Sequence, residues 1–319
     1  MKSPLAAWPA FVVLILALRW CAQEQHPNFE IHTERGQTTF HIGERIALKL
    51  RFTSPNDTGY SILTWGFDRD RPNGLESFEL NPSSGWADPQ ATYWAYAGFP
   101  PFKASLTPAR PFLVSKPLDG SVDLNEWVRF DQPGVYTLKL RSERVSTNDT
   151  RFVIPLESNT IELQIVPATP EWQQAQLEAI RLKIDSRNVQ DSDYDTSVAA
   201  LRYLATPGAI EVITAQLSVG HNANACRVGL LGLPGSMHNV AIQSMKKRLN
   251  EPDYPITGMF YDTMLVLGLT LDSNKESFQR QVQTANANLL QVVSVSARDK
   301  SPAARAETMQ TLQEFGEWR

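Results

Sequence analysis

The sequence predicts a β-sandwich followed by an α-helical region. Three observations predict it. Residues 135–141 alternate apolar and polar positions directly behind a Gln132-Pro133-Gly134 turn. Strand-like segments stop at Pro167-Ala168-Thr169-Pro170. Beyond that string, apolar residues recur at helical spacing to the end of the chain.

At 319 residues the chain is long enough for two domains, each with its own core. Thirty Lys plus Arg face 34 Asp plus Glu, a formal charge of −4 with no long run of one sign. That balance argues against a nucleic-acid surface or a polybasic membrane surface. The two cysteines are Cys21 and Cys226, too few for a disulfide framework. Met1-Lys2 is followed by an uncharged stretch from residue 3 to 18 that contains FVVLILAL, and then by Arg19. A stretch of that length behind one positive charge fits a secretory signal over residues 1–22 better than a membrane span. Export to the periplasm or the extracellular space is therefore expected. Ile15-Leu16-Ala17 offers a small-residue cleavage site, whereas Trp20-Cys21-Ala22 places a bulky residue at the −3 position. An uncleaved anchor and a lipid on Cys21 remain alternatives, although Leu18-Arg19-Trp20 lacks the small residues a lipobox needs.

The β-rich domain is placed at residues 27–167. Strands are expected at 29–33, 38–53, 60–67, 77–80, 122–130, 135–145 and 160–166. In the second, Ile46, Leu48, Leu50 and Phe52 alternate with Ala47, Lys49, Arg51 and Thr53. Asn56-Asp57-Thr58-Gly59 and Asn73-Gly74 supply turn residues between strands, and the Asn-Asp pairs of the Asn-Asp-Thr triplets at 56 and 148 read as turn formers. Both triplets, at Asn56 and Asn148, would also be glycosylation acceptors in a eukaryotic secreted protein. In the 135–141 strand, Tyr136, Leu138 and Leu140 share a face. A tyrosine just past a Pro-Gly turn resembles the tyrosine corner of Greek-key sandwiches, whose hydroxyl bonds back to upstream backbone.

Between strands lies an irregular segment, residues 81–118, with seven prolines. Loops this long in a compact domain are functional or braced by their own side chains. Its Trp86, Tyr93, Trp94, Tyr96, Phe99 and Phe102 form the candidate partner-binding surface, because aromatics give large contact area at low entropic cost. The alternative is that these rings fold back over a sheet edge or the domain junction. The expected partner is another protein, with a glycan as the alternative. Lys103 and Arg110 are too few basic residues for a nucleic-acid stacking platform. Membrane contact is expected only through an uncleaved signal or a lipidated Cys21.

The helical domain is placed at residues 169–319. Thr169 is the expected N-cap, with Pro170 at the first helical position and Glu171 in the first turn. That helix should reach residue 184. Others are expected at 196–205, 209–217, 223–231, 237–249, 256–269, 275–295 and 302–318. Residues 201–217, LRYLATPGAIEVITAQL, and 228–249, VGLLGLPGSMHNVAIQSMKKRL, each read as helix, Pro-Gly turn, helix. Such pairs resemble HEAT-like solenoid repeats.

LNEWVRFDQPGVYTL, the Gly85-Trp86-Ala87-Asp88-Pro89 string and LRYLATPGAI together resemble a set of uncharacterised exported bacterial proteins of an acidobacterial type. Those proteins join an immunoglobulin-like domain to HEAT-like repeats. The resemblance implies an immunoglobulin-like Greek-key sandwich, a HEAT-like solenoid and an envelope location. It implies no activity.

No catalytic, cofactor or metal site is expected, and the reading is of a non-enzymatic protein-binding scaffold, with a carbohydrate- or peptide-binding accessory to an exported hydrolytic system as the alternative. Gly235-Ser236-Met237-His238 lacks the G-x-S-x-G elbow and its strand, so Ser236 reads as a helix N-cap. Asp191, Asp193 and Asp195 alternate as the first ligands of an EF-hand do, but Thr196 and Arg202 stand where Gly and Glu are required. They read as a solvated inter-helix loop. His26, His32, His41, His221 and His238 show no zinc spacing. Cys226 reads as a buried, inert thiol.

Overall fold

The computed structural model describes residues 26–64, 69, 74–91, 93, 111–148, 152–185, 191–269 and 275–317. The expected signal, with Cys21, lies outside them. The chain has a β-rich N-terminal part and a C-terminal part with eight helices among the described residues.

The first sheet joins β1 (Asn28–Thr33), β3 (Ala47–Thr53) and β8 (Leu118–Asp123) in antiparallel order β1-β3-β8. Register places Phe29 opposite Phe52, and their rings stack at 4.6 Å. The alternation read in β3 is the alternation of burial: Leu48, Leu50 and Phe52 are buried and Lys49 is exposed. Asn159 finishes the β1 edge. Its Oδ1 accepts from Ile31 N at 2.8 Å and its Nδ2 donates to Ile31 O at 3.1 Å.

The second sheet is organised on β10 (Gly134–Thr147), whose 14 residues pair on both edges. On one edge run β12 (Ile161–Val166) and β11 (Val153–Glu157), and on the other β5 (Glu76–Asn81) and β4 (Tyr60–Ile62). β2 (Thr39–His41) lies parallel to β12, and β7 (Phe112–Leu113) closes the far side. β6 (Trp86–Ala87) and β9 (Arg129–Phe130) form a separate ribbon. The two large sheets share one core, in which Leu48 and Leu50 meet Leu138, Leu140 and Leu163.

Two expected strands are broken. The 38–53 segment turns between β2 and β3 at Gly43, whose φ of +85° suits glycine. The 122–130 segment becomes β8, a 3-10 turn at Leu124–Glu126, and β9. The physical reason is Asn125. Its Oδ1 accepts from Ile46 N at 2.7 Å and its Nδ2 donates to Glu44 O at 2.9 Å, so a side chain takes over from the ladder. β11 was not expected, because Pro155 in its middle demotes the run. Pro155 lacks a donor, and the β10–β11 register shifts there, between Ser142 and Val145. At this irregularity Arg144 forms a fully buried ion pair with both carboxylate oxygens of Glu76 and donates to Leu63 O at 3.2 Å.

The helices are α1 (Pro170–Ile184), α2 (Asp191–Leu204), α3 (Pro207–Gln216), α4 (Ala223–Leu231), α5 (Gly235–Leu249), α6 (Gly258–Leu267), α7 (Lys275–Ser296) and α8 (Pro302–Gly316). Three begin on a threonine that caps the third residue beyond it. Thr169 accepts from Trp172 N, Thr206 from Ala209 N and Thr257 from Phe260 N. Each odd helix packs on the next even one, and α1–α3, α3–α5, α2–α4, α4–α6 and α6–α8 also pack. Their core, built on residues such as Leu201, Ile213, Leu230, Met245 and Phe260, is separate from that of the sheets. Two expectations fail here. Asp191, Asp193 and Asp195 open α2 rather than lying in a loop, since carboxylates suit the positive end of a helix. Ser236 does not cap α5, because Pro234 already holds the extended cap position and Ser236 falls inside the helix. No helix among the described residues is long and apolar enough to cross a membrane.

Candidate functional site

The aromatic surface expected from the sequence is described at two of its six residues. Trp86, on β6, is half-buried against the sheet core and donates its indole N–H to Pro82 O at 3.2 Å. Tyr93 is half-buried against the helical core, with the Arg227 guanidinium 5.7 Å from its ring centroid. Arg227 is in turn held by Asp262 at 2.8 Å, which links α4 to α6. Trp94, Tyr96, Phe99 and Phe102 lie outside the described residues. Within eight positions the segment therefore passes from one part of the molecule to the other.

Between Trp86 and Tyr93 it crosses the junction of the two parts. The turn after β2 and the 3-10 turn at Leu124–Glu126 meet the end of α2 there, and residues 88–90 meet Gly232 at the end of α4. Glu126 is the hub. Its Oε1 accepts from Tyr203 OH at 2.5 Å and from Arg202 Nη2, and its Oε2 accepts from Gln90 Nε2. Arg69 donates to the Glu126 carbonyl at 2.9 Å and pairs with Asp88. Asp123 takes both bonds from Arg45 Nε at 2.8 Å. Arg202 and Tyr203 are almost fully buried, at 5 % and 6 % exposure.

Two glycines bring the backbones this close. A Cβ on Gly43 would sit 3.0 Å from Tyr203 O, and one on Gly232 would sit 3.2 Å from Pro89 O and 3.1 Å from Arg202 Cδ. At the rim the His41 ring stacks on Trp172 of α1 at 4.5 Å. The packing leaves a cavity of about 10 Å³, lined by His41, Asn125, Phe130, Arg202 and Gly232 among others. That is room for one water.

The electrostatics suit a joint better than a reaction centre. Burial, reinforced by Glu126, pushes the Tyr203 phenol far up, so it stays protonated and donates. Burial opposes the Arg202 charge, but the Glu126 carboxylate beside it outweighs this and holds the guanidinium charged. Elsewhere, burial pushes the Cys226 thiol up to about 11, with Tyr194 OH 3.6 Å away. Such a thiol is not a nucleophile at neutral pH. Burial pulls His238 down, and its Nε2 lies 3.1 Å from Leu233 O. Among the described residues no group of three or more His, Cys, Asp or Glu side chains could hold a metal ion.

Glu126, Arg202, Tyr203 and Gln90 were not picked out in the sequence as a site. Residues 126 and 202 are 76 positions apart, and no spacing rule joins them. No family model and no curated protein matches the chain.

Proposed function

We propose that the protein is a non-enzymatic scaffold of the bacterial cell envelope, exported and bound to another protein. In this reading the β-rich part is an immunoglobulin-like sandwich, and the helical part is a HEAT-like solenoid. Two sheets on one core, with a tyrosine hydroxyl bonded back to the turn before it, support the first. Helices that pack on their neighbours, with α1–α3, α2–α4, α3–α5, α4–α6 and α6–α8 also in contact, support the second.

The observation that carries the function is the course of the aromatic segment. Anchored at Trp86 on the sheets and at Tyr93 on the helices, it straddles the junction. Aromatic residues presented from a braced base are the usual energetic centre of a protein interface. The test is capture of partners from envelope extract by the wild type and by a Trp94→Ala, Tyr96→Ala variant. Loss of a partner in the variant is expected, and an identical set of partners overturns the reading. Binding of a glycan array by the wild type alone would replace protein by carbohydrate as the partner.

A further inference from the structure

Residues 88–90 are tied down more thoroughly than a surface loop requires. Asp88 is paired with Arg69 at 2.5 and 2.7 Å and accepts the Gln90 backbone N–H at 2.9 Å. Pro89 is buried with its carbonyl at Gly232, where a Cβ would sit only 3.2 Å from it and force a shift of a few tenths of an ångström. Gln90 is 2 % exposed, and its amide reaches the same carboxylate that holds Arg202 and Tyr203. Glu126 thus receives donors from two directions, one from the segment and two from the end of α2.

Removing the Gln90 donor costs Glu126 Oε2 a partner on a side chain only 18 % exposed, where water replaces it incompletely. A charged acceptor left short of a donor there is destabilising. The two contacts are therefore energetically coupled, because shared partners make such contributions non-additive. Tyr93 is the next anchor along the segment, three residues on, and it holds the far side of the junction.

We propose that residues 88–90 and Glu126 form a latch between the β-rich and helical parts, released when the segment carrying Trp86 and Tyr93 is displaced. Its relevance to partners rests on the scaffold reading above; the latch itself does not. A ligand that moves the segment would shift the joint by the difference in its affinity for the latched and unlatched states.

Hydrogen exchange of the full-length chain tests this. The reporters are the Trp127 and Val128 amides, bonded to Leu124 O, and the Ala205 amide, bonded to Leu201 O. The control is the buried helix α6. Gln90→Ala and Tyr93→Ala should each raise exchange at the reporters about tenfold or more and leave α6 unchanged, with Glu126→Ala raising it further. Unchanged reporters in Gln90→Ala overturn the latch. Unchanged reporters in Tyr93→Ala overturn its link to the segment, and an equal rise in α6 reduces it to general destabilisation. If these results hold while the Trp94→Ala, Tyr96→Ala variant keeps every partner, the scaffold reading fails and the latch stands.

Discussion

Tyr136 carries two duties in one side chain. Its ring packs at 4.8 Å against Phe130, and its hydroxyl donates to Gln132 O at 3.0 Å with Gly85 O 3.3 Å away. Tyr136→Phe keeps the ring and deletes the bonds, so stability should fall by about 1 kcal/mol while partner capture stays intact. A urea titration coincident with that of the wild type would refute the assignment. Cys226 makes a prediction in pH. Burial raises its folded pKa to about 11, above that of an open chain, so the folded state binds the proton more tightly. That contribution is complete below the unfolded pKa of roughly 8.5 and is lost as pH rises through the folded value. The wild type should therefore lose more stability between about pH 8 and 11 than Cys226→Ala, by at most about 3 kcal/mol. Parallel losses in urea titrations of the two proteins would contradict it.

At the scale of elements, the helix ends are the most exposed to a simple test. Ala205, between α2 and α3, has φ of +48°, a conformation that costs an L-residue with a Cβ roughly 1 kcal/mol. Ala205→Gly should raise the melting temperature by a few degrees, since the relief exceeds the entropic penalty of glycine at such a site. A lower melting temperature would show that the Cβ packs usefully. The helices were legible because each signal is local. Thr169-Pro170 starts α1 by cap chemistry alone and apolar spacing does the rest, whereas Pro207-Gly208, expected as a turn, opens α3 behind the Thr206 cap. The strands were less legible wherever a distant group intervened. Asn125 ends β8 by bonding residues 44 and 46, and Pro155 hides β11 until its partner β10 is seen to shift register. The joint was not legible as a site, because Glu126 and Arg202 acquire meaning only once both parts are folded.

For the whole molecule, the question is how firmly the two cores are held together. The link between β12 and α1, residues 167–169, is short, but the joint adds the Glu126 cluster and the stacked His41 and Trp172 rings. Limited proteolysis within residues 167–169 should therefore give two folded fragments that still co-elute in gel filtration. Separate elution would mean that the joint is too weak to set the orientation of the parts. One smaller feature also acts at this scale. The two bonds from Asn159 to Ile31 let a single amide stand in for one residue of a neighbouring strand, at the margin of a three-stranded sheet. A second copy of the chain approaching that margin finds the Ile31 donor and acceptor already taken, which weakens this edge as a template for strand pairing.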